Sequence, residues 1–326
     1  MNINSFNAFQ EEVNLLQKDG KYTRALELIT SKKENFPSKY GLINYWMISL
    51  YSLTGDTAQS LKIFEQTLST GFWYSDLLLR KNADLKSLQG LEHFENLIKI
   101  NKKNRTLDES HLFPLLILRS EGSCISSAEP CPLLVGIHAN YTTAADSLEF
   151  WRAATKNSYL VAAPQSSQAL WKGAYIWEDL VASSIEIIGH LQSLGDKFEI
   201  DPGDSIISGI RQGAEICIKL ALSGKIQVKG FILINPDLSF LLHTDLFTLG
   251  MEPIYLDDKG EIDLRGYIIK AADIESLGED TLEAFMDSMV ELGIKCKLDF
   301  VPHAGYEYVP DYDQYLLTAI DFIVQA

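Results

Sequence analysis

The sequence predicts a mainly parallel α/β sheet with helices on both faces, preceded by an all-α helical-repeat segment. From residue 111 onward, apolar runs of five to eight residues alternate with amphipathic stretches, which is typical of a parallel sheet covered by helices. Residues 1–105 show no strand-like alternation and contain short helix-forming stretches separated by glycine and proline. A chain of 326 residues is long enough for each part to bury a core.

The N-terminal segment contains an internal repeat with an offset of 35 residues. Residues 15–29 (LLQKDGKYTRALELI) align with residues 50–64 (LYSLTGDTAQSLKIF). In each copy a glycine would close the turn between two helices, and a small residue farther on would let those helices approach closely. The matched pairs include Gly20 with Gly55, Ala25 with Ser60, and Leu26 with Leu61. This pattern resembles about two tetratricopeptide repeats, whose usual period is about 34 residues.

Two repeats form a small surface, which leaves two interpretations of residues 1–105 open. One is a helical cap docked on the second part, and the other is a surface that binds a protein partner. A capping stretch is expected over residues 72–99. The polar run over residues 98–109 (KINKKNRTLDES) predicts a linker to the second part, which we place at residues 111–326.

The second part predicts strands and helices in near-regular alternation. The predicted strands cover residues 112–120, 131–138, 159–164, 205–209, 230–236, 265–272 and 295–302. The predicted helices cover residues 147–157, 177–195, 215–224, 280–293 and 312–326. Because helical crossovers connect parallel strands, this order predicts a mainly parallel sheet.

The junction over residues 200–224 (IDPGDSIISGIRQGAEICIKLALSG) carries most of the functional information. A predicted strand runs directly into a predicted helix through residues 209–213 (GIRQG). The nucleophile elbow G-x-S-x-G has this strand–turn–helix setting, with glycines flanking a sharp turn. Both glycines are present at that spacing, and Arg211 occupies the position of the serine. The surrounding sequence resembles the phospholipase/carboxylesterase branch of the α/β-hydrolase superfamily, which implies that fold for residues 112–326.

Three further segments agree with this resemblance. Residues 137–143 (IHANYTT) follow an early strand, where the family has a His-Gly loop that supplies an oxyanion-hole amide, although Ala139 replaces the glycine. Asp273 follows a late strand, at the position of the family's acid. Tyr306, within residues 298–310 (LDFVPHAGYEYVP), occupies the position of the family's histidine.

The resemblance therefore implies a hydrolase fold without a complete Ser-His-Asp triad. The guanidinium of Arg211 stays protonated and offers no lone pair for nucleophilic attack. The phenol of Tyr306, with an ordinary pKa near 10, keeps its proton at neutral pH and does not act as the base. We expect loss of ester hydrolysis. The alternative is an active esterase-type serine hydrolase that uses displaced residues, with Ser208 as nucleophile and His303 as base.

Two hypotheses follow for the substituted site. At a helix N-terminus, where amide groups and the helix dipole favour anions, an arginine could clamp the carboxylate or phosphate of a small ligand. The ligand-binding candidates are Arg211, Gln212, His138, Ala139 and Asn140. In the second hypothesis, Arg211 pairs with Asp273 and fills the site, because an unpaired buried carboxylate is costly.

Charge and composition exclude several kinds of partner. Residues 1–110 hold 14 Lys+Arg against 13 Asp+Glu, which leaves 14 against 31, a net charge of −17, for residues 111–326. Such a charge argues against nucleic acid or an anionic membrane as partner. Without a membrane-spanning run or a signal pattern we expect a cytoplasmic protein. No metal-ligand spacing or nucleotide fingerprint is present, so neither a cofactor nor a metal is expected.

Four cysteines are too few for a disulfide scaffold in a chain of this size. Cys124 and Cys131 bracket a short loop, and we expect them to form a reduced pair, as is usual in the cytosol. Cys217 and Cys296 lie in apolar patterns and are predicted to be core residues.

Overall fold

The computed structural model describes residues 5–120, 124, 130–236, 263–272, 279–302 and 311–325. The chain divides into two compact units. Unit 1 comprises Met1–Leu112 together with Ala169–Lys172, and unit 2 comprises Phe113–Gln168 and Gly173–Ala326. Unit 1 is thus built from two pieces of the chain, because a short segment from farther along joins the N-terminal residues.

Unit 1 is mainly helical. Its α-helices are α1 (Phe6–Lys18), α2 (Tyr22–Lys32), α3 (Tyr40–Leu53), α4 (Thr57–Ser69) and α5 (Glu92–Glu109). Shorter helical turns cover Lys33–Asn35, Pro37–Lys39, Leu77–Lys81 and Ala83–Leu88. The segment from the second piece of the chain pairs with the stretch after α4, where the Ser75 N–H donates to the Leu170 carbonyl at 2.7 Å.

The hairpins α1–α2 and α3–α4 have corresponding turns. Gly20 and Gly55 have φ angles of +70° and +82°, values that glycine adopts without steric cost. Ala25 and Ser60 are fully buried, so their small side chains allow close helix packing. Ser60 Oγ also donates to the Ile48 carbonyl at 2.7 Å. The turns and the close packing agree with the internal repeat, while an affiliation with tetratricopeptide repeats stays a prediction.

The prediction of a linker over residues 98–109 is wrong, because these residues form most of α5. The polar side chains that suggested a linker are part of the packing. Asn101 Oδ1 accepts from the Tyr74 N–H and Asn101 Nδ2 donates to the Tyr74 carbonyl, both at 2.8 Å. Asn104 Nδ2 donates to the Phe72 carbonyl at 2.9 Å. The asparagines of α5 thus satisfy backbone groups of the preceding loop, a use that composition alone does not reveal.

Unit 2 contains a seven-stranded sheet in the described residues. Its strands are β1 (Leu115–Leu118), β2 (Cys131–Ile137), β3 (Leu160–Pro164), β6 (Ile200–Ile210), β7 (Gly230–Ile234), β8 (Arg265–Ala271) and β9 (Lys295–Val301), and two short strands outside it are β4 (Gln168–Trp171) and β5 (Ala174–Ile176). The spatial order is β1-β3-β2-β6-β7-β8-β9. In this sheet β1 runs antiparallel to β3, and each of the other neighbouring pairs of strands is parallel. The prediction of a mainly parallel sheet is therefore confirmed.

Helices cover both faces of the sheet. They are α6 (Ala144–Ser147), α7 (Leu180–Gly195), α8 (Gln212–Leu222), α9 (Glu279–Glu291) and α10 (Tyr312–Val324). One apolar cluster joins α7, α8 and α9 to one face. A second cluster joins α10 and the segment Leu148–Asn157 to the other face. The sequence predicts a helix over residues 147–157. The structure has a 3₁₀ helix there.

The cysteines differ in part from expectation. Cys124 and Cys131 form a disulfide with their Cα atoms 5.6 Å apart, so the prediction of a reduced pair is wrong. A short loop can place two residues at the Cα separation that a disulfide requires, and sequence spacing does not report this geometry. Cys217 is fully buried, as predicted for a core residue, whereas Cys296 is only partly buried and packs against the core.

Candidate functional site

The turn between β6 and α8 is a sharp elbow with Arg211 at its tip. Arg211 has φ +52° and ψ −116° and is the N-cap residue of α8. A residue other than glycine in such a region costs about 1–3 kcal/mol and persists only where its surroundings impose it. The Arg211 N–H donates to the Ile234 carbonyl at the end of β7, and the Arg211 carbonyl accepts from the Ala214 N–H, both at 3.0 Å. The sharp strand–turn–helix junction predicted for residues 209–213 is therefore present, with Arg211 at its tip.

Glycine is required on both sides of the tip. A Cβ added at Gly209 would lie 2.2 Å from the Gly213 carbonyl oxygen, and one added at Gly213 would lie 2.5 Å from the His138 carbonyl oxygen. Both distances are shorter than real Cβ contacts, and the atoms met are backbone. The G-x-x-x-G spacing therefore permits the tight turn and also brings the first turn of α8 against the loop that follows β2.

His138 begins that loop and is fully buried. Its Nε2 accepts from the Ser166 N–H at 3.1 Å, and its Nδ1 lies 2.7 Å from the Ala139 carbonyl, to which it donates. Burial lowers the pKa of His138 to about 4, because the apolar surroundings penalise the charged ring. The imidazole is thus neutral at physiological pH, and both nitrogens hold backbone groups in place.

The rest of the loop is braced by hydrogen bonds to neighbouring segments. The Trp177 indole N–H donates to the His138 carbonyl at 2.9 Å, and the Trp177 backbone N–H donates to Gln212 Oε1 at 2.8 Å. The Tyr141 N–H donates to the Tyr175 carbonyl at 2.8 Å. Gln212, a predicted ligand contact, therefore uses its side-chain oxygen to join α8 to the segment before α7.

Asn140 has a different environment from its neighbours. Its Oδ1 atom is buried and has no hydrogen-bond donor in the described part of the structure. The residue as a whole is partly exposed. Among the five predicted ligand contacts, Asn140 thus has a buried acceptor that the described structure leaves unsatisfied.

Ser208 lies three residues before the elbow tip and is fully buried in β6. Its Oγ accepts from the Trp151 indole N–H at 3.0 Å. Successive side chains of a strand point to opposite faces, so Ser208 belongs to the packing of the sheet and not to the tip. The contacts of Trp151 with Ser208 and of Ser166 with His138 could not be predicted from the sequence, because the partners are distant along the chain.

Three of the predicted site residues lie outside the described residues. These are Asp273, His303 and Tyr306. The Arg211–Asp273 pair, the substitution at the histidine position and the displaced base therefore stay predictions. Among the described residues there is no group of three or more His, Cys, Asp or Glu side chains able to hold a metal ion. None of the described helices is both long enough and apolar enough to cross a membrane.

Comparisons with known proteins agree with this architecture. Residues 6–109 match the family model described as the A/B hydrolase-like N-terminal domain. The structure of an uncharacterized protein from Bacillus cereus ATCC 10987 is similar over 98% of this chain and 99% of that chain, with 21% identity and a TM-score of 0.51. None of the curated proteins matches the chain.

Two solved enzymes show a more distant likeness. The Bacillus cereus carboxylesterase has 13% identity and a TM-score of 0.48, with 67% of this chain and 98% of that chain covered. A phospholipase/carboxylesterase from Dyadobacter fermentans has 12% identity and a TM-score of 0.48, with 64% and 97% covered. Taken with the strand order and the elbow, the full-length match defines an α/β-hydrolase-like fold with an N-terminal helical segment.

Proposed function

We propose that this protein is a non-hydrolytic α/β-hydrolase homologue that binds a small anionic ligand at the former nucleophile elbow. The observation that carries the proposal is Arg211 at the N-cap of α8, in the strained backbone conformation of the elbow. Backbone strain that the surroundings hold in place clusters at functional sites, which supports a use for this elbow.

The residues of the elbow support binding more than ester hydrolysis. The guanidinium of Arg211 does not attack a carbonyl carbon, since it remains protonated and has no available lone pair. A guanidinium carries its N–H groups in a fork that matches a carboxylate or phosphate. The Ala214 N–H donates to the Arg211 carbonyl, whereas the N–H groups of Gln212 and Gly213 have no carbonyl partner within α8. The helix dipole favours negative charge at this end. An anion at the tip would therefore meet both a charged side chain and oriented amides.

The competing function is an active serine hydrolase that uses Ser208 and His303. The burial of Ser208 and its hydrogen bond with the Trp151 indole disfavour it, because a nucleophile has to reach its substrate. Labelling of the purified protein with a serine-directed fluorophosphonate distinguishes the two functions. We expect no labelling, whereas labelling that Ser208→Ala abolishes would support the hydrolase.

The binding proposal is tested by calorimetric titration of the full chain with acetate, butyrate and propyl phosphate. We expect saturable binding of at least one anion by the wild type. Arg211→Gln should lower that affinity by about tenfold or more, because it removes a charge-assisted contact. Arg152→Gln is the matched control, since Arg152 is an exposed arginine of the same unit that pairs with Glu149. Absence of binding, or equal binding by the Arg211 variant, would refute the proposal.

A further inference from the structure

Helix α5 has an exposed face that is both basic and apolar. Lys99, Lys102 and Lys103 are exposed on it. Ile100 and Leu107 expose 46% and 64% of their surface on the same face. The buried residues of α5 lie on the opposite side of the helix and are Phe94, Leu97 and Asn101. The five exposed residues, called the α5 face below, are therefore not the ones that hold α5 in unit 1.

The three lysines of the α5 face have no carboxylate within 4.0 Å of their ammonium groups in the described part of the chain. The acid at the end of the helix has another partner, since Glu109 pairs with Arg105 at 2.9 Å. The lysines also precede the last turn of α5, where the helix dipole favours cations. Lys99 and Lys103 are one turn apart, so their like charges repel. The face therefore carries a cluster of positive charge that no carboxylate of the described residues neutralises.

Helix α9 has an exposed face of the opposite charge. Glu283, Asp287 and Glu291 are exposed at intervals of four residues, and Val290 beside them exposes 70% of its surface. The buried residues of α9 lie on the other side of the helix and are Leu282, Phe285 and Met289. Within the described ranges, no lysine, arginine or histidine forms a salt bridge with the three carboxylates. The four exposed residues are called the α9 face below.

The two faces match in charge and in spacing. Residues four apart on a helix are separated by about 6 Å along its axis, so Lys99 and Lys103 are spaced like Glu283 and Asp287. Each face also places an exposed aliphatic side chain next to its charges. Contact between the faces would therefore offset the repulsion within each helix by attraction between the helices, and it would bury apolar surface.

We propose that the α5 face of one copy of this protein binds the α9 face of a second copy. The occupant follows from charge, because two α5 faces or two α9 faces would bring like charges together. Nucleic acid or an anionic membrane would be repelled by the α9 face and by a chain with a net charge of −16. The contact joins different surfaces of the copies, so it links them into a ring or a chain. It goes beyond the proposed function and does not depend on the ligand at Arg211.

Sedimentation velocity of the full chain measures this association. We expect the average mass to rise with protein concentration between about 1 and 200 μM at low salt. The rise should be smaller in about 0.5 M NaCl, because ions screen exposed charges. A chain that stays monomeric over the whole range at low salt would overturn the proposal.

Two charge-reversal variants test the faces themselves. The first is Lys99→Glu/Lys102→Glu/Lys103→Glu, and the second is Glu283→Lys/Asp287→Lys/Glu291→Lys. Each variant alone should self-associate at least about tenfold more weakly than the wild type, because its two faces then carry the same sign. The second variant has a less negative net charge, so general repulsion between copies does not account for its loss. Undiminished association of either variant would overturn the proposal.

Mixing the two variants provides the most specific test. The acidic α5 face of the first then meets the basic α9 face of the second, so the mixture should associate about as tightly as the wild type. A single chain with all six substitutions keeps the wild-type net charge and should also self-associate. If neither the mixture nor the combined variant regains association, the two faces do not bind each other.

Matched controls lie on unit 1 outside α5. Lys62→Glu/Lys81→Glu/Lys86→Glu alters three exposed lysines and changes the net charge as much as the first variant does. This control should keep the wild-type affinity within about twofold. Leu107→Ser should weaken association, whereas Leu77→Ser, at another exposed leucine, should not. Equal losses in a control and its matched variant would show that the α5 face has no particular role.

Discussion

The conformation of Arg211 depends on the backbone around it and not on its side chain. The φ angle of +52° is imposed by contacts around the turn, namely the bond from the Arg211 N–H to Ile234 and the close approach of Gly209 to Gly213. None of these contacts involves the side chain at the tip. The geometry of the elbow is therefore independent of the side chain at its tip, which is why the glycine spacing in the sequence could predict it.

Replacement of Arg211 by glycine should stabilise the protein. Glycine adopts positive φ without the steric cost that a Cβ atom brings, so Arg211→Gly should raise the free energy of unfolding by about 1 kcal/mol. Arg211→Ala is the control, because it removes the same guanidinium but keeps the Cβ atom. Urea unfolding of the three proteins provides the measurement. Equal stability of the glycine and alanine variants would show that the backbone at this position is not strained.

His138 should make stability depend on pH. Its pKa is lowered to about 4 in the folded protein, whereas an unfolded chain has a histidine pKa of about 6.5. Between these values the unfolded state binds more protons, so the free energy of unfolding should fall as the pH decreases. From pH 7 to pH 5 this contribution is about 2 kcal/mol.

Urea unfolding at pH 7 and pH 5 measures this contribution. His138→Gln should lose less stability than the wild type over that interval, because glutamine does not titrate. Carboxylates contribute equally to both proteins, so the difference between the two slopes isolates the histidine. Identical slopes would contradict a neutral, buried His138.

At the scale of elements, the close packing of α8 against the loop after β2 determines the site. Gly213 permits this packing, and the buried His138 and Trp177 hold the loop beside it. The glycine spacing was visible in the sequence, but the hydrogen bonds from Ser166 and Trp177 were not, because they join residues distant along the chain. Local pattern thus predicted the elbow, and long-range contacts determined how it is supported.

Gly213→Ala should disrupt the elbow. The added Cβ would meet backbone oxygens that side-chain rotation cannot displace, so we expect a loss of more than about 2 kcal/mol in the free energy of unfolding. Gly189→Ala is the matched control, since a Cβ at Gly189, in α7, meets nothing within 4 Å. That variant should gain about 0.5–1 kcal/mol from helix propensity. Equal stabilities in urea would contradict the packing described for α8.

At the scale of the whole molecule, the periodicity of the second part predicted the sheet, its parallel order and its covering helices. The alternation of apolar strands with helices was sufficient for this, because a parallel sheet requires crossovers. Two predictions that rested on composition, the linker over residues 98–109 and the reduced cysteine pair, were wrong. The run over residues 98–109 proved helical because Asn101 and Asn104 serve backbone groups, and the pair Cys124–Cys131 proved to be bonded.

The central proposal, that the elbow does not support hydrolysis, is tested most directly by one assay. Hydrolysis of short-chain p-nitrophenyl esters is compared for the wild type and for the double variant Arg211→Ser/Tyr306→His. We predict no activity above background for the wild type and a gain of at least about tenfold for the variant, because the variant has a serine and a histidine at the two positions that the resemblance assigns to the nucleophile and the base. Turnover by the wild type that His303→Ala or Ser208→Ala abolishes would contradict the claim and establish a displaced triad.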